Sequence, residues 1–170
     1  MARLAYLAAS MLALLATAPA LGQEGCRLCY SDMNAKPGEK PLGIEIWADL
    51  NFSKLALTGR GGGSAALDPQ TGSKSTSGEV IDLGGMTMNG RGRITGEPGR
   101  EVRIDLPTRV IMTNADGGEA ELTGFAANLP LRPVLNGQGE LEFTFGARLV
   151  LKGGKGGNYR GRIPISVDYN

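Results

Sequence analysis

Few residues in this sequence could do chemistry, and the most specific are two cysteines in Cys26-Arg-Leu-Cys29. A Cys-x-x-Cys pair has several readings. A local disulfide pinning the N-terminal segment is the expected one. A redox pair would need a thioredoxin-like βαβ context and a low-pKa thiol at a helix start, and neither pattern is visible. Half of a metal site is a third reading, but the sequence has no histidine and no further cysteine. A single chain therefore cannot complete a Cys/His zinc shell. Pairing between molecules is the fourth.

The lack of histidine also removes the commonest general base and every Ser-His or Cys-His arrangement. Carboxylate pairs remain at Glu119/Glu121 and Glu140/Glu142. Each pair is spaced i, i+2 on the polar side of an alternating run, which is the pattern of a solvated strand face. The runs Gly59–Gly63 and Gly153–Gly157 lack a Gly-Lys-Ser/Thr sequence and a following helix pattern, so they read as hairpin tips rather than phosphate loops. Arg91, Arg93, Arg100 and Arg103 could form a basic strip, or could each find a partner across a strand. The only tryptophan, Trp47, is out of phase with Leu42, Ile44 and Ile46. Either it lies in a core or it sits on a contact surface; burial is the expectation. No enzyme, metal or cofactor is expected from these residues.

The elements that would hold them begin with a leader. Met-Ala-Arg3 is followed by an uncharged apolar run from Leu4 to Ala18, with small residues at Ala18, Ala20 and Gly22. This reads as a secretory signal peptide over residues 1–22. The run is too short to span a bilayer comfortably, which takes about 20 apolar residues. Polar Gln23-Glu-Gly25 before Cys26 weakens a lipoprotein reading. The expected location is the periplasm, the cell surface or the medium, after export through the inner membrane.

Roughly 148 residues would remain, enough for one domain with a core. Without Arg3, 17 basic residues face 17 acidic ones. A neutral chain is a poor match for nucleic acid or an anionic membrane, which are bound through a basic excess. The 27 glycines fall mostly between alternating runs, as in an all-β protein with tight connections.

Residues 23–41 read as an irregular segment. Strands are predicted at Leu42–Ala48, around Phe52–Leu57, at Ser64–Leu67 returning over Ser73–Ser77, at Val80–Leu83, Arg91–Thr95, Val102–Leu106, Val110–Thr113 and from Ala120 to Phe125. Asp68-Pro-Gln-Thr-Gly72 and Asn114-Ala-Asp-Gly-Gly118 are turn signals. No window keeps a helical period, and strand signals recur about every eight to twelve residues, as in a sandwich or barrel. The pattern is most regular at the end. Leu141, Phe143, Phe145, Ala147, Leu149 and Leu151 alternate, and after a Gly-Lys loop Tyr159, Gly161, Ile163, Ile165, Val167 and Tyr169 alternate again. The prediction is a long C-terminal β-hairpin with one apolar face. Pro164, on its other face, predicts a ladder gap or a bulge on one side of the final strand.

Several stretches together resemble a family. Ala48-Asp-Leu-Asn-Phe52, Asp68-Pro-Gln-Thr-Gly72, Leu83-Gly-Gly85, Gly90-Arg-Gly-Arg-Ile-Thr-Gly96, Ile104-Asp-Leu-Pro107 and Gly157-Asn-Tyr-Arg-Gly-Arg-Ile-Pro-Ile-Ser-Val-Asp-Tyr-Asn170 occur in the order seen in the domain of unknown function 4402 family of exported bacterial proteins. The resemblance covers residues 42–170. The closing stretch is also similar to the last strand of chaperone–usher pilins and spore-coat-U-like subunits. Those end in a penultimate tyrosine, here Tyr169, preceded by alternating Val167, Ile165 and Ile163, with a glycine fourteen from the end, here Gly157.

That resemblance implies an incomplete immunoglobulin-like β-sandwich. Its assembly strand would carry Gly157, Tyr159, Ile163, Ile165, Val167 and Tyr169. Its partners would be a periplasmic chaperone and other copies or subunits, joined by strand addition. Pilins carry an alternating donor segment at the N-terminus; here residues 23–41 carry cysteines and prolines instead. Leu42–Ala48 is then either a donor strand or the domain's own first strand. The expected function is a non-enzymatic surface or pilus-like subunit. The alternative is a self-complete secreted domain that binds a carbohydrate or surface ligand.

Overall fold

A computed structural model describes residues 37–153 and 157–170. The leader, residues 23–36 and the Cys26–Cys29 pair lie outside the described residues. Within them the fold is all-β and antiparallel, consistent with a β-sandwich.

One layer is a seven-stranded sheet. Its central strand is β10, Glu140–Leu151. One edge of β10 carries β6 (Gly90–Thr95) and then β3 (Gly63–Leu67); the other edge carries β9 (Glu119–Ala127). Outside these lie β1 (Gly43–Ala48) on β6, β4 (Lys74–Gly78) on β3 and β8 (Arg109–Thr113) on β9. The turns between β3 and β4 and between β8 and β9 fall at the two predicted turn signals. The Asp68 carboxylate accepts from the Gln70 and Thr71 N–H groups, and Gly72 adopts φ +68°. Such a turn suits an Asp–Pro start and a glycine end.

The second layer consists of two separate ribbons. β2 (Leu55–Leu57) pairs with β5 (Val80–Asp82), and β7 (Val102–Asp105) pairs with β11 (Ser166–Tyr169). The first ribbon packs on one cluster, with Val80 beside Val110, Leu122, Ala147, Leu149 and Leu151. The second packs on another, with Val102, Val167 and Tyr169 beside Ile94, Phe143 and Phe145. The alternation of β10 supplies the floor of both.

The predicted C-terminal hairpin does not form. β10 has no edge to offer the tail: Leu149 already sits between Ala65 of β3 and Leu122 of β9. The tail instead touches β8 through one bridge, Arg160 to Thr113, and then crosses to the second layer to pair with β7. A period of two fixes which face of a strand is buried, not which strand lies beside it. The ladder gap predicted at Pro164 is present, because regular pairing resumes only at Ser166.

Leu42–Ala48 contributes the domain's own first strand, and that strand corrects a second expectation. β1 has a neighbour on one side only. Ile44 and Ile46 are therefore exposed, and Trp47 is 45% exposed rather than buried.

Candidate functional site

The two ribbons of the second layer do not pair with each other, and a crevice of about 1090 Å³ lies between them. Typical small-molecule pockets occupy about 300–1,000 Å³. Its floor is the buried face of the large sheet, with Leu122, Phe145, Leu149 and Leu151. One lip is the stretch from Leu50 to Leu57, and the other is the tail from Gly157 to Ile165. Leu50, Phe52, Leu55, Leu57, Tyr159 and Ile163 stay only partly buried along these lips.

Both lips have backbone to spare. All three residues of β2 line the crevice, while its partner β5 contributes none. The edge of β2 away from β5 is thus unpaired among the described residues. On the opposite lip, Arg160 exchanges both backbone hydrogen bonds with Thr113 at 2.8 and 3.0 Å. From Gly161 to Ile165 no ladder pairing follows among the described residues. Unpaired strand edges over an apolar floor are the geometry that accepts an added strand. Arg160 and Arg162 add exposed positive charge to this lip.

The residues of the predicted assembly strand divide into two sets. Gly157, Tyr159, Ile163 and Ile165 line the crevice. Gly157 needs to be glycine: its φ is +143°, and a Cβ would press on the Asn114 side chain. Ile163 touches both apolar clusters and so links the halves of the core. Val167 and Tyr169 lie beyond the crevice and are buried.

Tyr169, 1% exposed, anchors the tail. Its hydroxyl donates to the Lys40 carbonyl at 2.6 Å and accepts from the Glu97 N–H at 2.7 Å. The Arg100 guanidinium lies 4.7 Å from its ring centroid and forms an ion pair with Glu39. Gly96 leaves room for the hydroxyl, because a Cβ there would meet it. Glu39, Gly96 and Arg100 gave no sign of this role in the sequence, since the β1–β6 pairing brings residues 39–40 to the 96–100 stretch and the β7–β11 pairing brings Tyr169 to both.

Lys74 was also missed. Its side chain, 4% exposed, donates to the Phe52 carbonyl at 3.0 Å and ion-pairs with Asp82 at 2.5 Å. It thereby ties β4, the Leu50–Leu57 lip and β5 together. The hydrogen bond from Lys74, and after it the one from the Gly84 N–H, holds the Asp82 carboxyl below the usual carboxylate range. Three of the four paired carboxylates are tied to cations. Glu121 meets Arg109 at 2.7 Å and Lys152 at 3.5 Å, and Arg93 meets Glu142 at 3.0 Å and Glu140 at 3.6 Å. The described residues contain no group of three or more potential metal ligands.

No curated protein and no solved structure matches the chain. A family model does match, over residues 42–169, which spans every strand of both layers. On that match, and with the motifs from Ala48 to Asn170 in the expected order, the chain belongs to the family described as Domain of unknown function (DUF4402).

Proposed function

We propose that this protein is an exported, non-enzymatic assembly subunit, of a cell-surface or pilus-like structure, that takes an extended strand from a partner into the crevice between its two ribbons. The single observation that carries the reading is the pair of unpaired lips, β2 and Gly161–Ile165, over an apolar floor. An inserted strand of about five to six residues would be about 17–20 Å long. Alternate side chains would point to Leu122, Leu149 and Leu151, and its backbone would serve the lips. The donor is a periplasmic chaperone first and another subunit afterwards, which is the partner set that the pilin-like tail implies. The kinship to pilins and spore-coat-U-like subunits belongs to this proposal. So do export by the leader and the Cys26–Cys29 disulfide.

Hydrogen exchange tests it. The Gly161, Arg162, Ile163 and Ile165 amides should exchange fast in the isolated monomer and slowly in protein recovered from the cell envelope under native conditions. Equal, fast exchange in both preparations would remove the proposal.

A further inference from the structure

The outer face of the large sheet, away from both ribbons, carries a second arrangement. β1, β6 and β10 run side by side there, and cross-strand register aligns Glu45, Arg93 and Glu142. Next to that row the pairing of β1 slips: Ile46 opposes Gly92 and Ala48 opposes Arg91, so Trp47 is the extra residue of a β-bulge. Bulges commonly re-aim a side chain. Here the indole stands at the surface with the Arg93 guanidinium 4.8 Å from its ring centroid. Glu142 and Glu140 hold that guanidinium in place.

Beside the indole is a shallow depression of about 180 Å³, bounded by Trp47, Arg91, Asn128, Glu142, Phe143 and Thr144. This is room for one ring rather than for a drug-sized ligand. Arg91 is exposed, and among the described residues its guanidinium makes no ion pair or hydrogen bond. Asn128 offers an amide that both donates and accepts, and Glu142 offers a carboxylate that accepts. The Thr144 hydroxyl donates to the Pro69 carbonyl at 2.6 Å, which leaves only its acceptor side. Blunting of a sheet edge would account for the bulge. It does not account for an uncompensated guanidinium beside the chain's only indole.

We propose that this depression binds a single acidic sugar ring, a uronic acid residue. The apolar face of the ring rests on Trp47, its carboxylate pairs with Arg91, and its hydroxyls meet Glu142 and Asn128. An aromatic plane bordered by donors and acceptors suits a pyranose. The unpaired guanidinium selects the acid, since Arg–carboxylate pairs are charge-assisted and often bidentate. The site stands on the opposite face from the crevice and does not depend on strand addition.

Trp47 is the only tryptophan, so its fluorescence reports on this site alone. The full exported protein is titrated with glucuronic acid, glucose and acetate, and saturation-transfer NMR repeats the glucuronic acid and glucose arms. The expected result is saturable binding of glucuronic acid at least about tenfold tighter than of glucose, with no comparable effect of acetate. Arg91→Gln, whose exposed position leaves the melting temperature unchanged, should abolish the preference for the acid. The proposal is overturned if neither measurement shows saturable glucuronic acid binding or if glucose binds as well. It is equally overturned if acetate has the same effect or if Arg91→Gln keeps the preference.

Discussion

The Tyr169 hydroxyl donates to the Lys40 carbonyl at 2.6 Å, joining residues 129 positions apart. The same oxygen accepts from the Glu97 N–H. Tyr169→Phe keeps the ring but leaves the part-buried Glu97 N–H and the Lys40 carbonyl without this partner. It should lower stability by about 1–3 kcal/mol. Chemical denaturation of the two proteins would show it, and an unchanged midpoint would contradict the anchoring role.

Gly146 tests how closely β10 and β3 are set within the large sheet. A Cβ at this position would collide with the Leu67 carbonyl oxygen, and backbone gives way less readily than a side chain. Gly146→Ala should therefore lower the melting temperature sharply. Gly137→Ala, where nothing lies within 4 Å, should change it little. Similar effects at the two positions would contradict the packing.

The tail contributes Val167 and Tyr169 to one cluster and Ile163 to both. Full burial of a large apolar side chain is worth about 1.5–3 kcal/mol, and a domain is stable by only about 5–15 kcal/mol. Deletion of residues 163–170 should abolish cooperative unfolding. A truncated protein that still melts in a single sharp transition would contradict this.

Asp82 and Lys74 predict a pH dependence. The folded state holds the Asp82 carboxyl below its ordinary range, through Lys74 first and the Gly84 N–H second. The resulting stability is present above the unfolded pKa of about 3.9. It is lost as pH falls through the lower folded value. Asp82→Asn should therefore melt earlier than the parent at pH 7, and the two curves should converge in acid. A gap that widens on acidification would reverse the sign and contradict the assignment.

Much of the fold was legible because alternation and turn chemistry are local. Asp68–Gly72 and Asn114–Gly118 mark their hairpins, and the inward row from Leu141 to Leu151 matches the floor of both clusters. Pairing partners were less legible. The tail alternates as a strand would, but its neighbour is β7 because β10 is already flanked on both sides. Trp47 was expected inside, but alternation sets it on the face opposite Ile44 and Ile46, and the outer face of the edge strand β1 is uncovered. Of the candidate site, one lip was legible in the apolar tail. The other lip depends on Lys74 reaching the Phe52 carbonyl, a contact without a sequence signature.

The central claim is that the crevice is completed by a strand from another molecule. Protein from the native cell envelope, run on a denaturing gel without boiling and probed with an antibody, tests it most directly. The account predicts species larger than the monomer that collapse to it on boiling, and their loss in an Arg162→Pro variant, which removes an N–H from the exposed, unpaired lip and touches neither core cluster. Only monomer before and after boiling, in cells that export the protein normally, would contradict it.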